Sequence, residues 1–333
     1  MKKSRLQLFS FELIVALVGL LLLPQVHAAS VSLLSDNPGI LFRDVTTDGT
    51  NLYLSGSAAV TQSIYSAPTG GGTATVLYPA VYPQGITVLG SNLYWADPQS
   101  GPITDTQILT APKAGLGPVS AIYTGNDVGQ PIVDGLGLET DGTKLYSADA
   151  VQGRVHGLNP DGSGLAQIGP NRYGGFFSGA HENYIAVGDG TLFIAESGVP
   201  TAAGCAGQCN PGIYTHSASD LSGAFVPLFT GLPFAGDGPR GIAYGDGRIY
   251  VTQGDTIYSI ATSGGALTLL TDPLFHSLRG LTYQDGALYV IDNFADSGRV
   301  LLVDPAPIPL PAAWLFLATG LLGLLGSSRG QRS

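Results

Sequence analysis

RGIAYGDGRIYVTQ, from Arg240 to Gln253, and RGLTYQDGALYVID, from Arg279 to Asp292, are two copies of one pattern. In each, an aliphatic residue stands eight places before an aromatic anchor, with a glycine-containing turn between them. Four more copies lie upstream: RDVTTDGTNLYLSG (43–56), QGITVLGSNLYWAD (84–97), LGLETDGTKLYSAD (136–149) and NYIAVGDGTLFIAE (183–196). The six anchors are Tyr53, Tyr94, Tyr146, Phe193, Tyr250 and Tyr289. Their aliphatic partners are Val45, Ile86, Leu138, Ile185, Ile242 and Leu281, and no copy needs a gap. Apolar alternation on both sides of a DG, GD or GS turn is the pattern of a β-hairpin, because such turns supply the positive φ that two-residue connections require.

A second hairpin follows most copies, with turns such as SAPTGGGT, TAPKAGLG, LNPDGSG and ATSGGA, and ends in apolar segments such as TVLYP, SAIYTG and LTLLTDP. Four strands in a repeat of roughly 40 to 55 residues is the period of a propeller blade. The sixth copy reaches a third strand, GRVLLVDP, and has no fourth. The missing strand stands at the other end of the chain: VSLLSDNP, from Val31 to Pro38, matches LTLLTDP and belongs to no repeat of its own. The expectation is therefore an all-β, six-bladed β-propeller spanning 30–305, closed by its N-terminal strand so that no sheet edge is left open.

Targeting segments flank this body. Lys2, Lys3 and Arg5, an apolar run from Leu13 to Leu23 and small residues at Ala28 and Ala29 read as a signal peptide over 1–29. A second apolar stretch, from Pro309 to Gly326, precedes Arg329 and Arg332 and reads as a short membrane helix within a tail over 306–333, with its basic end inside. Without the basic residues of these segments and Glu12, nine basic residues face 23 acidic ones, so the body carries a net charge near −14. That balance excludes nucleic acid as a partner recognised through bulk charge. Cys205 and Cys209 are the only cysteines, and in an exported chain they read as a local disulfide, since C-x3-C alone offers too few ligands for a metal.

SNLYWADP and LNPDGSG resemble the YWTD repeats of low-density-lipoprotein-receptor-type propellers and the related NHL-type propellers, a resemblance that covers the body. The ending PIPLPAAWLFLATGLLGLLGSSRGQRS resembles a PEP-CTERM sorting signal, with Ile308, Pro309, Leu310, Pro311 and Ala312 as a VPLPA-like box. The second resemblance implies a Gram-negative cell, transient residence in the inner membrane, and an exosortase-type enzyme that cuts near the box. The body would then be displayed at the cell surface or released outside it.

Ten residues before each anchor, where the innermost strand begins beside the channel, stand Arg43, Gln84, Leu136, Asn183, Arg240 and Arg279. Three guanidinium groups on neighbouring blades would form a positive patch able to hold a carboxylate or an acidic sugar. The simpler reading is that they brace blade to blade, as a similar P-R-G-I sequence does in YWTD-type propellers. Three residues after the anchors, Asp97, Asp149, Glu196 and Asp292 are expected to tie neighbouring blades together, with arginines as their partners. Asp134, Glu182, Asn183 and Asp237, with His181 as a base, would have to converge for a calcium-dependent lactonase, since calcium takes six to eight oxygen ligands. They lie in differing registers, and no acid occupies the aligned channel position. No G-x-S-x-G or H-E-x-x-H element occurs. The DGTN, DGTK and PDGSG segments suit hairpin tips better than calcium loops. The reading is a non-catalytic surface or matrix protein without a cofactor that binds exopolysaccharide or another envelope component. A secreted lactonase-type hydrolase is the alternative, and calcium is the one ion left open.

Overall fold

The computed structural model describes residues 26–98, 106–125, 132, 135–149, 154–169, 183–196, 211–231 and 238–305. Within them the six repeats form six sheets, one blade each. Blade 1 comprises Ile40–Thr47, Asn51–Ala58, Thr61–Pro68 and Thr75–Ala80, and blade 2 Ile86–Leu89, Asn92–Pro98, Thr106–Pro112 and Ser120–Thr124. Blade 3 comprises Gly135–Thr140, Leu145–Asp149, Arg154–Leu158 and Ala166–Ile168, and blade 4 Asn183–Gly188, Thr191–Glu196, Gly212–Ser217 and Val226–Thr230. Blade 5 holds Gly241–Gly245, Arg248–Gln253, Thr256–Ala261 and Thr268–Thr271, and blade 6 Leu278–Gln284, Ala287–Phe294 and Ser297–Asp304. The first strand of every blade touches the first strands of both neighbouring blades, so the six inner strands close a ring around a central channel.

The alternation explains why the blades stack. The second strands are buried on both faces: Leu52 and Leu54 point toward blade 6, while the anchor Tyr53 points toward blade 2. Six apolar clusters result, one in each space between neighbouring blades, including the space where blade 6 meets blade 1. Since no blade can bury its faces alone, stability accumulates only when the ring is complete.

Closure follows the expected strand exchange. Ser30–Pro38 pairs antiparallel with Ser297–Asp304 and completes blade 6 as its outermost strand. Its anchor is Asn37, only 1% exposed. The Asn37 amide donates to Ser35 Oγ at 2.8 Å and to the Gly298 carbonyl at 3.0 Å, and its Oδ1 accepts from the Ala74 N–H of blade 1 at 2.7 Å. One short strand thus fastens both sides of the final joint.

The structure adds a strand that the sequence did not announce. Val26–Ala28, inside the segment read as signal peptide, pairs parallel with Thr268–Thr271 as a fifth strand of blade 5. Among the described residues no helix is long and apolar enough to cross a membrane. The apolar run of the signal peptide, the sorting box Ile308 to Ala312, the terminal helix and the Cys205–Cys209 pair all lie outside the described residues.

Candidate functional site

The upper mouth of the channel is the end where the inner strands begin, and the lower mouth is where they finish. Nine residues before the anchor, Gly85, Gly137, Gly241 and Gly280 set the channel's width. A Cβ at Gly85 would lie 2.4 Å from the Leu138 nitrogen, and one at Gly280 2.4 Å from Asp44 Oδ1, so neighbouring inner strands meet backbone to backbone there. Asp44 takes the glycine's place in blade 1 and fills the room that Gly280 leaves. Its Oδ1 accepts from Val45 N at 2.9 Å and its Oδ2 from Ile86 N of blade 2 at 3.0 Å. Glu139, on blade 3, faces the same channel. Its Oε1 accepts from Thr140 N and from Thr87 Oγ1 of blade 2, both at 2.9 Å.

Burial pushes both carboxyls up to about 7, against the lowering effect of their hydrogen bonds, and for Asp44 the charge of Glu139 adds to the rise. Both side chains keep some accessible surface because the channel reaches them, so water moderates the effect on stability. These two acids escaped the sequence reading, which took the position ten before the anchor as the channel lining. Their signal was a single charge in each of two columns, nine and seven residues before the anchor, that are otherwise occupied by uncharged residues.

The reason for the shift in register is visible in the pairing. Phe42 faces Gly56 and Asp44 faces Ser55, leaving Arg43 as the extra residue of a β-bulge; Leu136 and Arg279 fall at similar irregularities in blades 3 and 6. A bulge re-aims its side chain away from the regular alternation. Arg43 turns toward the joint with blade 2, donating to Gln62 Oε1 at 2.9 Å and to the Pro83 carbonyl at 3.1 Å, with its guanidinium 3.9 Å from the centre of the Tyr82 ring. It is a brace. Burial lowers its pKa, and nearby Arg279 adds to the lowering, which places the two guanidinium groups in one electrostatic neighbourhood.

Arg279 differs. It is half-buried, its Nε has no hydrogen-bond partner, and among the described residues its guanidinium forms no ion pair. Gln84 and Arg240 stand just before their inner strands, each fixed by a backbone bond, to Ala96 O at 2.9 Å and Thr252 O at 2.8 Å. Asn183 pairs through its backbone with Glu196. Asp134, Glu182 and Asp237 of the lactonase reading, with His181, lie outside the described residues.

Asp97 and Asp292, two of the acids after the anchors, tie neighbouring blades together, and their partners are mainly backbone N–H groups. Asp97, fully buried, accepts from Val81 N at 3.0 Å and Tyr82 N at 2.6 Å, in the segment that enters blade 2 from blade 1. Asp292 accepts in the same way from Ser277 N at 2.6 Å, and it also pairs with Arg299. At the hairpin tips, Asp48 accepts from Thr50 N and Asn51 N, and Asp141 from Thr143 N and Lys144 N, which is turn chemistry. Burial alone would raise these two carboxyls, but Lys113 and Asn51 N on Asp48, and Lys144 N and Thr143 on Asp141, hold each at about 2.

A pH dependence follows, with two opposite signs. Asp44 and Glu139 bind protons more tightly folded than unfolded, so their contribution is present below about pH 4 and is lost as the pH rises toward 7. Asp48 and Asp141 act oppositely and lose their contribution only as the pH falls from about 4 to about 2. Between about pH 4.5 and pH 8, stability should decline by about 1–2 kcal/mol per channel carboxyl. Glu139→Gln, which keeps the bonds to Thr87 and Thr140, should flatten that decline when urea unfolding is compared at the two ends. An unchanged slope would remove Glu139 from the account.

The fold and site together define a six-bladed β-propeller with carboxylates inside its channel and guanidinium groups at its upper mouth. Solved structures of the same architecture include the nidogen–laminin complex, at 16% identity and a TM-score of 0.56, over 73% of this chain and 85% of that one. A PQQ-bound aldose sugar dehydrogenase from Streptomyces coelicolor is similar at 17% identity and a TM-score of 0.58, over 84% and 99% of the two chains. A gluconolactonase from Xanthomonas campestris is similar at 15% identity and a TM-score of 0.57, over 83% and 89%. At such identities the likeness concerns the fold, which is the one that the YWTD and NHL resemblance implies. No protein-family model and no curated protein sequence matches the chain.

Proposed function

We propose that this chain is an exported, non-catalytic propeller whose upper channel mouth binds an acidic exopolysaccharide at the cell surface. Export rests on the segment before Ser30. Display rests on the tail, with an exosortase-type enzyme cutting near Ile308 to Ala312 after transient anchoring in the inner membrane. The observation that carries the binding reading is Arg279: a half-buried guanidinium at the upper mouth with no ion pair among the described residues, in a body where acids far outnumber bases. Leaving a cation so placed without a counter-charge is costly unless a ligand supplies one.

Polygalacturonate is a suitable probe. The purified protein should bind it in a salt-sensitive manner, because charges at an open mouth are screened over about 8 Å at physiological ionic strength. Arg279→Gln should weaken binding by about tenfold with the fold intact, the loss of one charge-assisted contact. Arg43→Gln should lower stability instead, since it removes the bonds to Gln62 and Pro83. Undiminished binding by folded Arg279→Gln rejects the site.

A further inference from the structure

At the opposite end of the channel is a well of about 200 Å³, room for about six waters, to which every blade contributes. Glu139 lines it. With Oε1 held by Thr140 N and Thr87 Oγ1, its Oε2 takes part in no hydrogen bond among the described residues. The hydroxyls of Thr46 and Thr282 and the amide of Gln284 also line the well without hydrogen-bond partners among the described residues. Next around the ring from Glu139 the wall is short and apolar, formed by Ala186 and Val187 of blade 4 and Ala243 of blade 5. Tyr244 and Tyr283 complete the lining, their hydroxyls bound to Asp189 and Asp246.

Around this mouth the hairpin tips of five blades each present an aspartate: Asp48, Asp141, Asp189, Asp246 and Asp285. Three of them sit at positive φ near 50° in the tight turn itself. The basic groups near these tips are few among the described residues: Lys113 of blade 2 is paired with Asp48, Lys144 follows Asp141, and Arg248 is turned to Ser259 and Thr268. None of the three lines the well. Asp44 lies one step further in, with both oxygens committed to backbone N–H groups. The lower mouth is thus an anionic funnel ending in one available carboxylate oxygen.

We propose that this lower well binds a small primary ammonium ion, its nitrogen held by Glu139 and its alkyl part against Ala186, Val187 and Ala243. An ammonium group has three donors and no acceptor, which matches a well where Glu139 Oε2 on one side faces the hydroxyl of Thr282 and the amide oxygen of Gln284 on blade 6 across the channel, with the Thr46 hydroxyl of blade 1 also in the lining. Calcium is the poorer fit, because it takes six to eight oxygen ligands and the well offers one uncommitted carboxylate oxygen. An anion is repelled by the ring of aspartates. The inference is independent of the upper mouth, since the residues belong to the other end of the inner strands.

The test uses the full-chain protein with n-butylammonium and butan-1-ol, which differ in charge and little in shape, followed by calorimetry and by NMR of the ligand. The ammonium ion should bind about tenfold more tightly than the alcohol, the difference expected of a charged hydrogen-bonded contact. Glu139→Gln should reduce its affinity to that of the alcohol, and added salt should weaken it. Thr282→Val, which keeps the side-chain shape, should weaken binding a few-fold, and it decides the question should Glu139→Gln fail to fold. Equal affinity for amine and alcohol overturns the proposal. So does ammonium binding that both variants retain, or saturable calcium binding that the amine does not displace.

Discussion

Deletion of Ser30–Pro38 is expected to cost about 5 kcal/mol or more, a large share of the 5–15 kcal/mol that holds a typical domain together. The strand carries little apolar weight, since Leu33 is exposed and Val31 and Leu34 are only partly buried. Its value is positional. Without it Ser297–Asp304 becomes an open edge, the Ala74 N–H loses Asn37, and the apolar cluster joining blade 6 to blade 1 is uncovered on one side. Because each blade is stable only between two neighbours, opening one joint should loosen the rest, and urea unfolding should show a lower and broader transition. A synthetic peptide of the sequence SVSLLSDNP, added in trans, should restore part of the loss. A deletion variant that melts like the parent would mean that the ring closes without its N-terminal strand.

The second large effect is expected at Asp292, for which substitution by alanine should cost about 3–5 kcal/mol. Asp292 has no exposed surface and sits against Arg299, which is 8% exposed. Its Oδ1 receives Ser277 N at 2.6 Å and His276 N at 3.3 Å, so alanine strands two backbone donors and leaves a buried guanidinium without its carboxylate. The remaining hydrogen-bond partners of Arg299, the Leu274 carbonyl and His276 Nδ1, both at 2.9 Å, carry no formal negative charge. Replacing Arg299 by methionine in the Asp292→Ala background should therefore recover part of the stability, because the unpaired buried charge dominates the cost. If the double variant is as unstable as the single one, the lost backbone contacts matter more than the ion pair. If Asp292→Ala alone is nearly neutral, the acid does not tie blade 5 to blade 6.

Much of this architecture was legible in the chain because its repeats are local. The spacing from Ile242 to Tyr250 and from Leu281 to Tyr289, the tight turns between them and the orphan strand from Val31 to Pro38 required only the period-two alternation of a strand and a count of four strands to a blade. The glycines of QGI, LGL and RGL were legible as part of the motif. Their purpose emerged only when inner strands from different repeats came together, where a Cβ at Gly85 would strike the backbone of Leu138. The aspartates at the hairpin tips were likewise readable as turn formers, while the funnel they make together appears only once the blades are arranged around one axis.

By itself, then, the sequence determined what depends on short separations: six hairpin repeats, the sixth left one strand short, and the strand that completes it. The tertiary structure decided what each channel residue faces. Arg43, Leu136 and Arg279 share a column with three residues that lie on no bulge, and at Arg43 the extra residue turns the side chain toward the joint with blade 2. That single-residue shift made Arg43 a brace, while the closing of the ring brought Asp44 and Glu139 together in the channel from positions 95 residues apart in the chain. No local pattern encodes such an encounter, because it is fixed only when the first blade and the last are joined and all six inner strands share one narrow channel.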